Sequence, residues 1–171
     1  IESLKASGRL ENTVLMFLID NGGCHVEYTT NRKGPYLPEK TRAGKPLRPG
    51  NIPGLMPGPE DTYQSYGYGW ANASNTPFRL YKQFCHEGGI RTPLIAHWPG
   101  VIKQGNGLTR QPGHVIDLMA TCLDVAELSH PKEFGGHQIQ PLEGVSLRPA
   151  FQGKKQGRKD ALYFDHHLNG A

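Results

Sequence analysis

Two short stretches of the sequence carry residue types that could bind a cation and an anion together. The first is Asp20-Asn21-Gly22-Gly23, which directly follows the apolar run at residues 13–19. A carboxylate next to an amide oxygen offers hard oxygen ligands that suit Ca²⁺ or Mg²⁺. Ligand sites in open α/β sheets lie at the carboxyl ends of strands, where this stretch is predicted to be. The same residue types are also common in turns, so a structural turn is the alternative.

The second stretch runs from Lys82 to Gly88-Gly89. A lysine on a helix that leads into a Gly-Gly break can direct its ammonium group at an anion, and glycines allow close approach of the backbone. The alternative is a solvated surface lysine. From these residues alone, both readings stay open.

Apolar patterns predict the elements that would position these residues. Unbroken apolar runs predict strands buried on both faces, as in a parallel sheet, and periodic apolar residues predict helices. Asn75-Thr76-Pro77 has the residue types of a helix start. The predicted elements are the end of a helix within residues 1–10, strands at 13–19 and 93–98, a short helix at 75–85, a helix at 114–128 and a strand at 161–165.

The segment from about residue 22 to 69 is rich in Gly, Pro, Lys, Asn and Tyr and shows no sustained period. Loops of this length within a domain are uncommon and mostly functional. We therefore expect it to cover part of a site. A second loop is predicted around residues 144–153.

Charge and cysteine content exclude several classes of protein. The net charge of +4 comes from Lys and Arg residues that are scattered rather than clustered with aromatics, which argues against nucleic-acid binding. No apolar run approaches the roughly 18 residues of a membrane span. Three cysteines without a CxxC pair indicate neither a disulfide framework nor a zinc site. Cys122 is predicted to lie in the core, and a Cys24–Cys85 bridge stays open.

Taken in order, the motifs of the chain resemble the sulfatases, of the arylsulfatase type, within the alkaline-phosphatase-like superfamily. The resemblance covers essentially the whole chain. It rests on Asn12-Thr13-Val14-Leu15, Asp20-Asn21-Gly22-Gly23, Gly69-Trp70-Ala71-Asn72-Ala73, Arg79-Leu80-Tyr81-Lys82, His86-Glu87-Gly88-Gly89-Ile90, Trp98-Pro99-Gly100, Leu142-Glu143-Gly144-Val145-Ser146-Leu147 and Leu162-Tyr163-Phe164-Asp165-His166.

This resemblance implies an α/β fold, part of an alkaline-phosphatase-like α/β/α sandwich with a mostly parallel sheet. Residues 1–142 would be the C-terminal part of the catalytic domain. Residues 143–171 would begin a small antiparallel C-terminal subdomain.

The implied activity is hydrolysis of sulfuric esters, either of small molecules or of saccharides. By resemblance, Asp20 and Asn21 supply two ligands of a Ca²⁺ (or Mg²⁺) ion, and Lys82 contacts the sulfate. A cation and an ammonium group would neutralise the sulfate oxygens during attack on sulfur. His86, beside the Glu-Gly-Gly element, and His166 or His167, after the last strand, are further candidates for substrate contact.

Two features of the family are missing from the sequence. There is no Cys/Ser-x-Pro-x-Arg motif, whose first residue becomes the formylglycine nucleophile, and the pair of adjacent acids that completes the metal site near the start of the family's domain is also missing. The nearest match, Ser129-His130-Pro131-Lys132-Glu133, has Glu in place of Arg. With an amino end that lacks Met, this predicts a C-terminal fragment whose formylglycine segment precedes it.

Two rival functions stay open. One is a phosphate or phosphonate ester hydrolase of the same superfamily, and the other is a non-catalytic binding protein derived from a sulfatase. The upstream nucleophile segment would separate them. The family resemblance favours a periplasmic or extracellular location, whereas oligomeric state and substrate identity are not encoded in any motif.

The missing nucleophile leads to a prediction for the chain as given. The purified 171-residue chain should not hydrolyse a chromogenic aryl sulfate and should bind Ca²⁺ weakly, since Asp20 and Asn21 fall well short of the about six to eight oxygens that Ca²⁺ prefers. Titration calorimetry and a turnover assay would check this. Measurable turnover would show that a nucleophile is present among these residues.

Overall fold

Short elements joined by turns make up the chain, for which a computed structural model describes residues 1–171 except 32, 35, 104–106, 167, 168 and 171. The helices and strands, in chain order, are α1 (Glu2–Ala6), β1 (Leu15–Leu18), β2 (Arg48–Pro49), β3 (Thr62–Tyr63), α2 (Gly67–Asn75), α3 (Glu87–Ile90), β4 (Leu94–His97), α4 (Asp117–Val125), β5 (Glu133–Phe134), β6 (His137–Gln138), α5 (Arg148–Phe151), β7 (Asp165–His166) and β8 (Asn169–Gly170).

The contacts divide the chain into two units. Unit 1 contains Ile1–Leu18 and Leu94–Leu162, and unit 2 contains Ile19–Pro93 and Tyr163–Ala171. The boundary predicted near residue 142 refers to the domains of the whole fold and stays a prediction.

In unit 1, strands β1 and β4 form an antiparallel pair in which Leu15 faces His97 and Leu18 faces Leu94. Both strands lie where the apolar runs predict them. For this pair, the prediction of parallel strands buried on both faces is wrong. Phe17 is 64% exposed and Ile95 is 61% exposed. The reason is that each strand has a single partner among the described residues, so the outward side chains are not covered.

Helix α4 confirms the helix predicted within residues 114–128, but not the face that it buries. Asp117 and Thr121 are fully buried, whereas Met119 is 57% exposed and Cys122 is also exposed. The prediction that Cys122 lies in the core is therefore wrong. The buried face is polar because backbone groups of a neighbouring loop need its oxygen atoms as hydrogen-bond acceptors.

Asp117 is the centre of that polar contact. One carboxylate oxygen accepts a hydrogen bond from the backbone N–H of His114 (2.8 Å). The other accepts from the N–H of Val145 (2.9 Å) and is ion-paired with Arg158, which is itself only 12% exposed. A buried carboxylate is stable only when its charge and lone pairs are satisfied in this way.

The next turn of α4 continues the contact through a hydroxyl group. Thr121 donates to the carbonyl of Asp117 and accepts from the N–H of Leu147, a buried residue that precedes α5. Asp124 accepts from the hydroxyl of Ser146 and from the guanidinium of Arg148. The loop predicted at residues 144–153 therefore contains a short helix whose start is fixed to α4.

Unit 2 corrects the prediction of a helix at residues 75–85. Helix α2 spans Gly67–Asn75 and ends where that helix should begin. Asn75 does not cap a helix, because its side-chain amide bonds to two other segments of the chain. Leu80 and Gln83 have positive φ angles of 66° and 81°, which an α-helix does not allow.

Two further predictions in this unit need correction. Glu87-Gly88-Gly89 does not break a helix but forms the single helical turn α3. The strand predicted at residues 161–165 is shifted, since β7 begins at Asp165 and pairs antiparallel with β8.

The buried ion pair in unit 1 gives a stability prediction. Asp117→Asn should lower the free energy of unfolding by about 3–5 kcal/mol, because Arg158 would keep a buried charge without its partner. The matched control is Glu2→Ala, which removes a carboxylate that is 87% exposed from a pair with Lys5 and should cost at most about 1 kcal/mol. Urea unfolding of both variants is the measurement. Equal losses of unfolding free energy in the two variants would contradict the stabilising role of the buried Asp117–Arg158 ion pair.

Candidate functional site

The segment that follows β1 and the segment that follows α2 are joined by backbone hydrogen bonds. The N–H of Gly22 donates to the carbonyl of Gly89 (3.0 Å), and the N–H of Lys82 donates to the carbonyl of Gly23 (3.1 Å). Both segments belong to unit 2. The two stretches that the sequence singles out for chemistry are therefore held side by side by main-chain bonds.

Asn75 connects the same segments through its side chain. Its Oδ1 accepts a hydrogen bond from the N–H of Gly23 (3.0 Å), and its Nδ2 donates to the carbonyl of Leu80 (2.9 Å). The sequence does not reveal this role, because Asn75 followed by Pro at position 77 also has the residue types of a helix start. The residue missed by sequence reasoning is thus one whose function depends on tertiary contacts.

Glycine is required at the contact between these segments and within the second of them. A Cβ on Gly22 would lie 1.7 Å from the carbonyl oxygen of Gly88, and one on Gly89 would lie 1.9 Å from the carbonyl oxygen of Phe84. Real Cβ atoms do not approach backbone oxygens so closely. The glycines after Asp20-Asn21 and after Glu87 are therefore explained by close approach of the backbone.

A cavity of about 480 Å³ lies along the joined segments. It brings together three of the predicted site residues, Asn21, Lys82 and His166. Its other lining residues are Gln83, Phe84, Cys85, Gly89, Ile90, Tyr163, Phe164 and Asp165. Asp165 stands within the motif Leu162-Tyr163-Phe164-Asp165-His166, but sequence reasoning did not select it as a site residue.

The two other predicted site residues do not line this cavity. Asp20 is adjacent to Asn21 and exposed. His86 is exposed and precedes α3, where its carbonyl accepts hydrogen bonds from Gly89 and Ile90. His167 lies outside the described residues.

The oxygen donors for a cation are few. The Nδ2 of Asn21 donates to the carbonyl of Gly22 (2.9 Å), so Oδ1 is the ligand atom that this side chain can offer. Asp20 adds a carboxylate. No group of three or more His, Cys, Asp or Glu side chains that could hold a metal occurs in the part of the chain that the structure describes. Asp20 and Asn21 thus have the right chemistry for two ligands of Ca²⁺ or Mg²⁺, but they do not form a complete site.

Neither Cys24 nor Cys85 takes part in a disulfide bond. The disulfide that the sequence left open is therefore not formed in the structure. Cys24 instead lines a second cavity of about 400 Å³, which also contacts Asn21 and includes Ser74 and Thr76.

Comparison with known proteins decides the family. The model of the sulfatase family matches residues 1–128. The chain belongs to the sulfatase family. It is 34% identical over 148 residues to an uncharacterized sulfatase of Schizosaccharomyces pombe, covering 86% of this chain and 24% of that protein.

Two further sulfatases are similar to this chain. An arylsulfatase of Klebsiella aerogenes is 30% identical over 168 residues, which cover 95% of this chain and 33% of that protein. An N-acetylgalactosamine-6-sulfatase of Sus scrofa is 38% identical over 99 residues, which cover 57% of this chain and 18% of that protein. The chain therefore spans a third or less of the length of these relatives. None of the described helices of this sulfatase chain is long and apolar enough to span a bilayer.

The close backbone approach gives a prediction for the sulfatase chain. Gly22→Ala should lower the free energy of unfolding by about 1–3 kcal/mol, because the new methyl group cannot fit beside the carbonyl of Gly88. The control is Gly69→Ala in α2, where no atom lies within 4 Å of the new Cβ. That change should be neutral or should stabilise by up to about 1 kcal/mol. If chemical denaturation shows Gly22→Ala to be as stable as Gly69→Ala, the backbone at Gly88 can move to make room for a Cβ at position 22.

Proposed function

We propose that the protein containing this chain hydrolyses sulfate esters, and that this chain supplies part of the site. In this proposal Lys82 binds the sulfate group, and Asp20 and Asn21 bind a divalent cation, Ca²⁺ or Mg²⁺. Membership of the sulfatase family supports the reaction class. The observation that carries the assignment is the cavity shared by Asn21 and Lys82.

The position of Lys82 suits an anion. Its side chain is exposed, so the ammonium group is accessible, and the hydrogen bond from its backbone N–H to Gly23 fixes the main chain from which the side chain extends. Negative charge develops on the bridging oxygen of the sulfate ester as the bond between that oxygen and sulfur breaks. A held ammonium group therefore stabilises the transition state more than the bound substrate.

A cation held by Asp20 and Asn21 would withdraw electron density from the sulfate oxygens. The remaining ligands must come from residues other than these two, since Ca²⁺ prefers about six to eight oxygens. Residues 1–171 contain no Cys/Ser-x-Pro-x-Arg motif. We therefore propose that the formylglycine nucleophile is supplied by a part of the protein other than these residues.

His166 is the best candidate in this chain for contact with the leaving group. It lines the cavity together with Lys82, on strand β7. His86 has weaker support, since it does not line that cavity. Asp165, next to His166, adds a carboxylate that can accept a hydrogen bond from a hydroxyl group of the substrate.

The size of the cavity and the names of the relatives support a proposal for the substrate class. A volume of about 480 Å³ lies within the range of roughly 300–1,000 Å³ for small-molecule sites. The similar proteins named above are an arylsulfatase and an N-acetylgalactosamine-6-sulfatase. We propose an aryl or saccharide sulfate ester as the substrate.

For the fold of the full-length protein, we propose that unit 1 contributes strands to the α/β/α sandwich.

The proposed function makes a prediction for Lys82→Ala in the full-length protein. Loss of one preorganised donor typically costs about 2.7–4 kcal/mol in transition-state stabilisation. The turnover number on an aryl sulfate should therefore fall by a factor on the order of a hundred to a thousand. The measurement is steady-state kinetics, with folding checked by thermal unfolding.

Lys103→Ala is the control for that experiment. Lys103 is exposed, belongs to unit 1 and does not line the cavity, so its loss should leave turnover unchanged. Wild-type turnover by a folded Lys82→Ala variant would refute the role of Lys82. Faster turnover of the corresponding phosphate ester than of the sulfate ester would favour a phosphate or phosphonate ester hydrolase.

A further inference from the structure

His25 lies in unit 2 among three aromatic rings. Its imidazole stacks on Tyr81, with centroids 5.2 Å apart and planes inclined by 28°. It also contacts Tyr68 at 5.1 Å and Phe84 at 5.8 Å. Its Nδ1 is buried and has no hydrogen-bond partner among the described residues. Ring packing therefore dominates the described interactions of this side chain.

Two of these three rings stand on either side of Lys82 in the chain. Tyr81 immediately precedes Lys82, and Phe84 follows it by two positions and lines the same cavity. The carbonyl of Gly23, two residues before His25, accepts the hydrogen bond from the N–H of Lys82. We call residues 80–83 the Lys82 turn. The segment around His25 therefore holds the Lys82 turn both by a backbone hydrogen bond and by ring contacts.

The Lys82 turn needs such support. Leu80 and Gln83 have φ angles of 66° and 81°, in the left-handed region that side chains other than glycine rarely adopt. A turn with two such residues persists only when surrounding structure fixes it. The imidazole of His25 packs against Tyr81, which lies within this turn, and against Phe84, which directly follows it.

We propose that His25 is a positioning residue for Lys82, which fixes the direction of the ammonium group by packing against Tyr81 and Phe84. His25 does not line the cavity, so it acts through these rings rather than on the substrate. Tyr68, on α2, also contacts His25 and packs edge-on against Tyr81, with centroids 6.0 Å apart. Together, His25, Tyr68, Tyr81 and Phe84 form a ring cluster. This proposal rests on the proposed function, because it assumes that Lys82 binds the sulfate.

The test is a double-mutant cycle in the full-length protein, with an aryl sulfate as the substrate. His25→Ala should lower the turnover number about tenfold, because Lys82 no longer keeps one direction. In the Lys82→Ala background the same change should have no further effect, since residues that act as a unit are not additive. His25→Phe, which keeps a flat ring, should restore turnover to within about twofold of wild type.

Tyr63→Ala is the matched control. Tyr63 stacks on Tyr28 in the same unit, with centroids 5.7 Å apart, and neither ring lines the cavity of Lys82. This variant loses an aromatic contact and should unfold at a lower temperature, but it should keep its turnover number. If His25→Ala does not fold, His25→Leu, which keeps the buried volume without a ring, takes its place in the cycle.

Two results would overturn the positioning role. One is wild-type turnover by folded His25→Ala or His25→Leu. The other is an equal loss in the wild-type and Lys82→Ala backgrounds, which would show that His25 acts independently of Lys82. If Lys82→Ala itself turns over like wild type, the proposed role of Lys82 in binding the sulfate fails, and the role of His25 fails with it. The single variants thus separate the failure of the two proposals.

Discussion

Unit 2 depends on the close approach of two backbone segments, which glycine alone permits. A Cβ on Gly22 would collide with the carbonyl oxygen of Gly88, so glycine at this position permits the hydrogen bond from Gly22 to Gly89. The hydrogen bond from Lys82 to Gly23 joins the same two segments. Asn75 satisfies one further polar group on each segment. This junction places an amide oxygen and an ammonium group along one cavity, although 60 residues separate Asn21 from Lys82 in sequence.

Unit 1 depends on a different rule, the satisfaction of buried polar groups. Asp117 and Thr121 occupy the buried face of α4, and they fix the loop that leads to Leu147 by bonds to backbone N–H groups. The larger apolar side chains of that helix, such as Met119, are left more exposed. Polar side chains therefore decide which face of this helix is buried, and hydrophobicity does not.

These two rules explain what the sequence could predict. Apolar runs and periods correctly located β1, β4 and α4, and the motif order correctly indicated the sulfatase family. The prediction of a helix at residues 75–85 failed because the side chain of Asn75 accepts a hydrogen bond from Gly23, which is distant in sequence. The buried face of α4 was missed for the same reason, since the partner of Asp117 is Arg158. Local patterns do not contain such contacts. The motifs selected Asn21 and Lys82, and the ring cluster around His25 has no sequence signal.

The central claim is that Asp20, Asn21 and Lys82 serve one site. The most direct measurement is a crystal structure of the full-length protein grown with Ca²⁺ and a sulfate-bearing substrate analogue. We expect a cation bound by the side-chain oxygens of Asp20 and Asn21, and a sulfate oxygen within about 3.2 Å of the ammonium nitrogen of Lys82. A separation of more than about 12 Å between Lys82 and Asp20 would contradict it, because one small anion and its cation cannot span that distance.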